Sequence, residues 1–231
     1  MPFFDDSGTR PEEHHGPFFN TFALLLDQIE RMIALNIVWS IQLIPAILAF
    51  AFPSFPIWGR ALLWVYTAVA IVPATGLVYK MVASACDGEL LNFETGKELL
   101  RQGFLPSLLT LFPLYSIFGW LVLLAILTSG KQWFIINVGI QVLFLLTAVC
   151  SIYWGPLFVE KPNRILDILK TSVRMVWGSP STTSITGFFV LLAIALGLIS
   201  VGGLFLIVPV FVALLEIQVY RYVMTKSKKG Y

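Results

Sequence analysis

TTSITGFFVLLAIALGLISVGGLFLIVPVFVALLEIQVYRYV, residues Thr182 to Val223, carries only two ionisable side chains besides its tyrosines, Glu216 and Arg221. As one helix rising ~1.5 Å per residue, it would be about twice as long as the ~30 Å hydrocarbon core of a bilayer. The stretch must therefore break. Ser200-Val201-Gly202-Gly203 is the natural place, leaving two arms of one bilayer crossing each. The reading is a helical hairpin running into a basic tail with Lys226, Lys228 and Lys229.

Composition extends this reading to the whole chain. Of the 231 residues, 58% are hydrophobic and 12% are charged. A soluble domain carries about 25% charged residues. The mean hydropathy is +0.85. A net charge of +2 is too small to point to nucleic acid. The start, MPFFDDSGTRPEEHHG, has no basic region ahead of an apolar core and reads as a flexible polar tail over residues 1–17. Cys86 and Cys150 form neither a CxxC nor a disulfide framework.

Working outward, the expected fold class is all-α: one polytopic transmembrane bundle over residues 18–224, with a basic tail at 225–231. Six crossings in three hairpins are predicted, at about 32–52, 61–83, 104–127, 134–159, 182–200 and 203–223. Phe18 to Arg31 reads as an amphipathic lead-in helix, with Phe18, Phe22, Leu25, Ile29 and Met32 at helical spacing. Pro45 predicts a kink in the first crossing. Cys86 to Gly103 reads as a polar loop with an interfacial apolar side. Asn163 is expected to cap an amphipathic helix from Arg164 to Trp177. Each even-numbered crossing has a proline in an apolar setting, Pro73, Pro156 and Pro209, which suggests a threefold repeat of hairpin plus cytoplasmic segment.

Six crossings put both termini on one side. Thirteen of the fifteen Lys and Arg residues then share that side, and only Arg60 and Lys131 lie opposite. This asymmetry predicts a multi-pass protein of the cell (inner) membrane with both termini cytoplasmic.

The segments VPATGLVYKMVASACDGE (Val72–Glu89), GPLFVEKPNRILDILKTSVRMVWGSP (Gly155–Pro180) and LNIVWSIQLIPA (Leu35–Ala46) resemble the YesL-like family of bacterial integral membrane proteins, a domain of unknown function. The resemblance spans about Phe18 to Val223. Family members are often encoded near sugar uptake systems, so the resemblance implies an accessory role in carbohydrate transport. It carries over no catalytic residues.

Several residues are candidates for chemistry. Glu216 is an intramembrane carboxylate, which points to a proton relay, an ion ligand or a partner charge. Its structural alternative is a place near the cytoplasmic interface, paired with Arg221 or with a basic residue of another helix. Asn36, Gln42, Asn137 and Gln141 are polar groups within crossings. They either line a substrate path or hydrogen-bond between helices. Asn137 and Gln141 lie one turn apart and share a face, as a cavity wall would require. Arg164, Lys170 and Arg174 mark a surface for anionic lipid or for a partner, such as a membrane transporter subunit. A homo-oligomer is a further option. His14-His15 make a poor metal site without other ligands. HExxH, the P-loop and GxSxG are all absent from the sequence, and no cofactor is indicated. The expectation is a non-enzymatic accessory or regulatory protein. The alternative is a small transporter with a mid-membrane polar cavity.

Overall fold

The computed structural model describes residues 16–89, 92–160, 164–200, 203 and 207–229, without the side chains of 93, 131, 228 and 229. Most of the 1–17 tail, with His14 and His15, lies outside these residues, as does the proposed Asn163 cap. The helices in chain order are α1 (Pro17–Asp27), α2 (Ile29–Ile41), α3 (Ile44–Ala51), α4 (Ile57–Cys86) and α5 (Phe93–Leu127). After a 3₁₀ turn follow α6 (Phe134–Ser151), α7 (Trp154–Glu160), α8 (Ile165–Gly178), α9 (Pro180–Ile199) and α10 (Val208–Lys229).

Five of these units are long and apolar enough to cross a membrane: α4, α5, α6 together with α7, α9 and α10. Taking α2 and α3 as one span bent by 47° makes six. The chain is an all-α, multi-pass membrane protein in contact with the bilayer. The bend falls where Pro45 predicts it. Pro45 has no amide to donate to Ile41, and the turn tightens to three-residue steps, with Gln42 N donating to Trp39 O and Leu43 N to Ser40 O. Arg60 Nε then donates to Ala49 O at 3.1 Å, satisfying a carbonyl at the C-terminus of α3.

A first expectation to correct concerns the start of α5. The polar segment up to Gly103 is not a loop along its whole length, because α5 begins at Phe93 and runs unbroken to Leu127. Asn92 caps it, its side chain accepting the Thr95 amide at 2.8 Å. Gly103 continues the helix and leaves room for the Lys80 side chain, which lies where a Cβ would be. The two prolines inside α5, Pro106 and Pro113, are accommodated without a break.

Of the residues read as the break in the last hairpin, Val201 and Gly202 lie outside the described residues. Ser200 ends α9, and the Gly203 amide donates back to the Ser200 carbonyl at 2.8 Å. The final helix starts later than expected, at Val208, and continues past Val223 to Lys229. The three prolines of the suggested repeat have different local settings. Pro73 is inside a continuous helix, Pro156 follows the α6–α7 break, and Pro209 is in the first turn of α10.

Two helices form the centre. α4 packs on α2, α3, α5, α7 and α10, and α10 packs on α1, α2, α4, α7 and α9. From Ala213 to Ile217 every residue of α10 is buried, so this helix is enclosed on all sides there. By contrast, α6 has no buried residue, and its apolar surface faces outward. The α1 helix lies against the last hairpin through Phe18–Phe189 and Phe22–Phe211 ring contacts.

Candidate functional site

The enclosed stretch of α10 contains Glu216, which is only 5% exposed. A carboxyl group in such surroundings needs a polar partner. Tyr79 of α4 supplies it, its hydroxyl donating to Glu216 Oε2. Tyr115 of α5 lies against the same hydroxyl, so three helices meet at this point.

Gly155 makes the close approach possible. A Cβ built on Gly155 would run into the Tyr79 ring, so α7 can press against the phenol only because this residue has no side chain. Gly76, a turn before Tyr79 on α4, has a similar role, since a Cβ there would meet Ser107 of α5. Beside this layer, Trp154 packs its ring on Tyr115 and Phe118 with centroids 5.8 and 5.7 Å apart. Trp154 Nε1 and Ser107 Oγ are buried polar atoms with no hydrogen-bond partner among the described residues.

The expected Glu216–Arg221 pair does not form. Five residues at 100° each carry Arg221 well round the helix from Glu216, whereas helical ion pairs need a spacing of three or four. Arg221 instead holds two other acids. Its Nη1 is 2.8 Å from Asp87 Oδ1, and its Nη2 is 2.7 Å from Glu160 Oε1. One guanidinium thereby ties the C-terminal ends of α4 and α7 to α10. We refer to this as the charged end of the bundle. Glu216 lies about 7.5 Å from Arg221 along α10, from five residues at ~1.5 Å each.

A cleft of about 330 Å³ opens at the charged end, lined by Lys80, Ser84, Asp87, Glu160 and Arg221 among others. Its charges balance within the wall. The Lys80 ammonium sits 5.9 Å from the centroid of the Phe158 ring. A groove of about 460 Å³ between α4 and α5 is apolar and includes Phe112, Tyr115 and Trp120. Another, of about 300 Å³, has Gln42 and Tyr66 in an otherwise mainly apolar wall, and one of about 290 Å³ has Arg31, Asn92 and Lys97 at its rim.

The other predicted polar residues do not gather at Glu216. Asn36 is 1% exposed, and its Oδ1 accepts the Val210 amide at 2.9 Å. That amide belongs to the first turn of α10 and has no acceptor within its own helix. Asn36 is therefore a helix cap supplied by a distant element. Gln42 stays at the α2–α3 bend and donates weakly to Val38 O at 3.4 Å. Asn137 Nδ2 donates to Ala125 O at 2.7 Å, and Gln141 Nε2 donates to Asn137 Oδ1 at 2.8 Å. Their shared face fastens the α5–α6 hairpin near its turn, and the Gln141 side chain is exposed. It is not the wall of a described cavity.

Arg164, Lys170 and Arg174 are exposed on or next to α8. The helix turns Ile168, Ser172 and Met175 inward. Sequence reasoning missed Tyr79, Tyr115, Gly155, Asp87 and Glu160. Glu216 itself was the available signal, since a buried carboxyl demands a donor, but nothing in the spacing says which of seven tyrosines provides it. The chain matches no family model, no curated protein and no solved structure.

Proposed function

We propose that the protein is a non-enzymatic accessory or regulatory component of the membrane, with both termini in the cytoplasm. The observation that carries this reading is the use to which the polar side chains are put. Glu216, Asn36, Asn137 and Gln141 each hold one helix to another, or to a neighbouring turn. Two grooves between the spans are apolar, and where Gln42 and Tyr66 line a third they are not joined by Glu216, Asn36, Asn137 or Gln141. A transporter needs polar groups converging on a path at mid-membrane. This bundle spends them on packing.

The link to carbohydrate uptake, and membership of the YesL-like family, rest on the resemblance of Leu35–Ala46, Val72–Glu89 and Gly155–Pro180 alone. The cytoplasmic orientation rests on the distribution of Lys and Arg.

The deciding experiment is solute flux into proteoliposomes containing the purified chain, with Glu216→Gln as the comparison. An accessory protein gives no flux of sugars or protons above empty vesicles. Flux that Glu216→Gln abolishes would replace this reading with that of a small transporter. Orientation is tested with Ser129→Cys and Lys97→Cys in intact cells. A membrane-impermeant maleimide should label the first directly and the second only after permeabilisation, and the reverse pattern would overturn the orientation.

A further inference from the structure

The α8 helix has three sides. Ile168, Ser172 and Met175 are buried against the bundle, which α8 meets through α6, α7 and α9. At 100° per residue, Val173, Leu166 and Trp177 fall together some 140–180° from Ile168. They are 45%, 66% and 81% exposed. Lys170 and Arg174 come next, at about 200–240° on the same count.

Apolar surface thus continues from the covered side of α8 well past the edge of the protein. It stops where the cations begin. An isolated exposed leucine needs no explanation, but an apolar strip ending in a tryptophan and bordered by two cations does. The helix abuts α6, part of a membrane-crossing unit and without a buried residue, so α8 lies beside a helix that lipid surrounds.

We infer that α8 is an anionic-lipid-binding helix. It lies in the plane of the membrane interface, with Leu166, Val173 and Trp177 among the acyl chains and Lys170 and Arg174 on lipid phosphates. The pattern fits this occupant better than a protein. The apolar strip is narrow, it adjoins lipid, and long basic side chains at its margin reach headgroups by extending along it. Anionic lipid is favoured over zwitterionic lipid because each basic side chain near a charged surface gains about fivefold in binding.

The test is native mass spectrometry of the full chain with phosphatidylglycerol or phosphatidylcholine of identical acyl chains. The unaltered chain should retain phosphatidylglycerol preferentially. Lys170→Gln with Arg174→Gln should lower that preference by about 25-fold, as fivefold for each of two cations. Lys97→Gln, at an exposed position of α5, should not change it. Equal retention of both lipids, or an equal loss in Lys97→Gln, would overturn the assignment.

A second measurement does not depend on charge. Spin labels at Val173→Cys and Asp167→Cys are compared in vesicles of the same two lipids, with Cys86 and Cys150 replaced by serine. The label at 173 should be reached by oxygen and the one at 167 by a water-soluble relaxant. Equal access of the water-soluble reagent to both, or protection of 173 from both reagents, would assign the strip to water or to a protein and refute a lipid face. Solute flux in the proteoliposome experiment would leave this assignment untouched.

Discussion

Gly155→Ala tests how tightly the buried polar layer is held. A Cβ at this position meets three atoms of the Tyr79 ring, and even the farthest of them, Cε2, is 2.5 Å away. The ring cannot simply rotate aside, because Tyr79 is 6% exposed and its hydroxyl is engaged by Glu216. Overpacking of this kind costs about 1–3 kcal/mol. Displacing the phenol also deprives a buried carboxyl of its donor, a further ~1–3 kcal/mol. A central value of about 4 kcal/mol corresponds to a fall in Tm of roughly 8–16 °C, at ~2–4 °C per kcal/mol. The assay is thermal unfolding of the detergent-solubilised chain, followed by loss of the monodisperse species. Gly119→Ala is the control, because a Cβ there meets nothing within 4 Å. Repeating Gly155→Ala in a Tyr79→Leu background isolates the clash, since removing the ring should bring the cost of the alanine below ~1 kcal/mol, as expected for coupled neighbours. A Gly155→Ala chain that melts within ~2 °C of the unaltered protein would refute the reasoning, by the same conversion. So would an unchanged cost in the Tyr79→Leu background.

Three further outcomes follow from the same layer and its surroundings. Asn36→Leu should destabilise by about 1–3 kcal/mol, because it leaves the buried Val210 amide without an acceptor; in the same melting assay, a neutral result would remove the capping role. Asp87→Asn should change stability by less than ~1 kcal/mol and lose even that effect in high salt, since Asp87 is 59% exposed and its pairing with Arg221 is screened; a large loss that salt does not alter would show the pair to be desolvated. Glu216→Gln keeps an oxygen that can accept from the Tyr79 hydroxyl and should cost less than Glu216→Leu, which leaves that hydroxyl only the neighbouring Tyr115 oxygen and removes a buried hydrogen bond worth about 0.5–1.5 kcal/mol; equal melting points for the two would mean that the hydrogen bond contributes nothing.

Much of the fold was legible because crossing a bilayer imposes a requirement that each segment meets alone. Beyond the first turn, nearly every backbone amide of a span is satisfied within its own helix, so length and hydropathy report a span without reference to its neighbours. That is why the end of α9 at Ser200 and the kink at Pro45 could be placed. The start of α5 was not recovered, although its signal was present. Asn92 followed by Glu94 is an ordinary helix start, yet the charges from Glu94 to Arg101 carry the composition of a loop. Composition reports where a segment sits, in water or in lipid, and not whether it is helical. A span that continues into water therefore looks interrupted at the boundary.

The site was only half legible, for a related reason. Sequence marks Glu216 as costly, but the donor that offsets the cost lies 137 residues away. The glycine that admits the donor is on a third helix. Such relations belong to packing between helices, and no local periodicity encodes them. The two polar layers also differ in what they can do. Arg221 with Asp87 and Glu160 joins α4, α7 and α10 at a partly exposed end, where screening makes each pair worth ~1 kcal/mol or less. Glu216 with Tyr79 joins α4 and α10 where solvent is excluded, and there a missing partner carries the full desolvation penalty. The outer layer can therefore break and re-form at little cost, while the inner one fixes the register of α4 against α10.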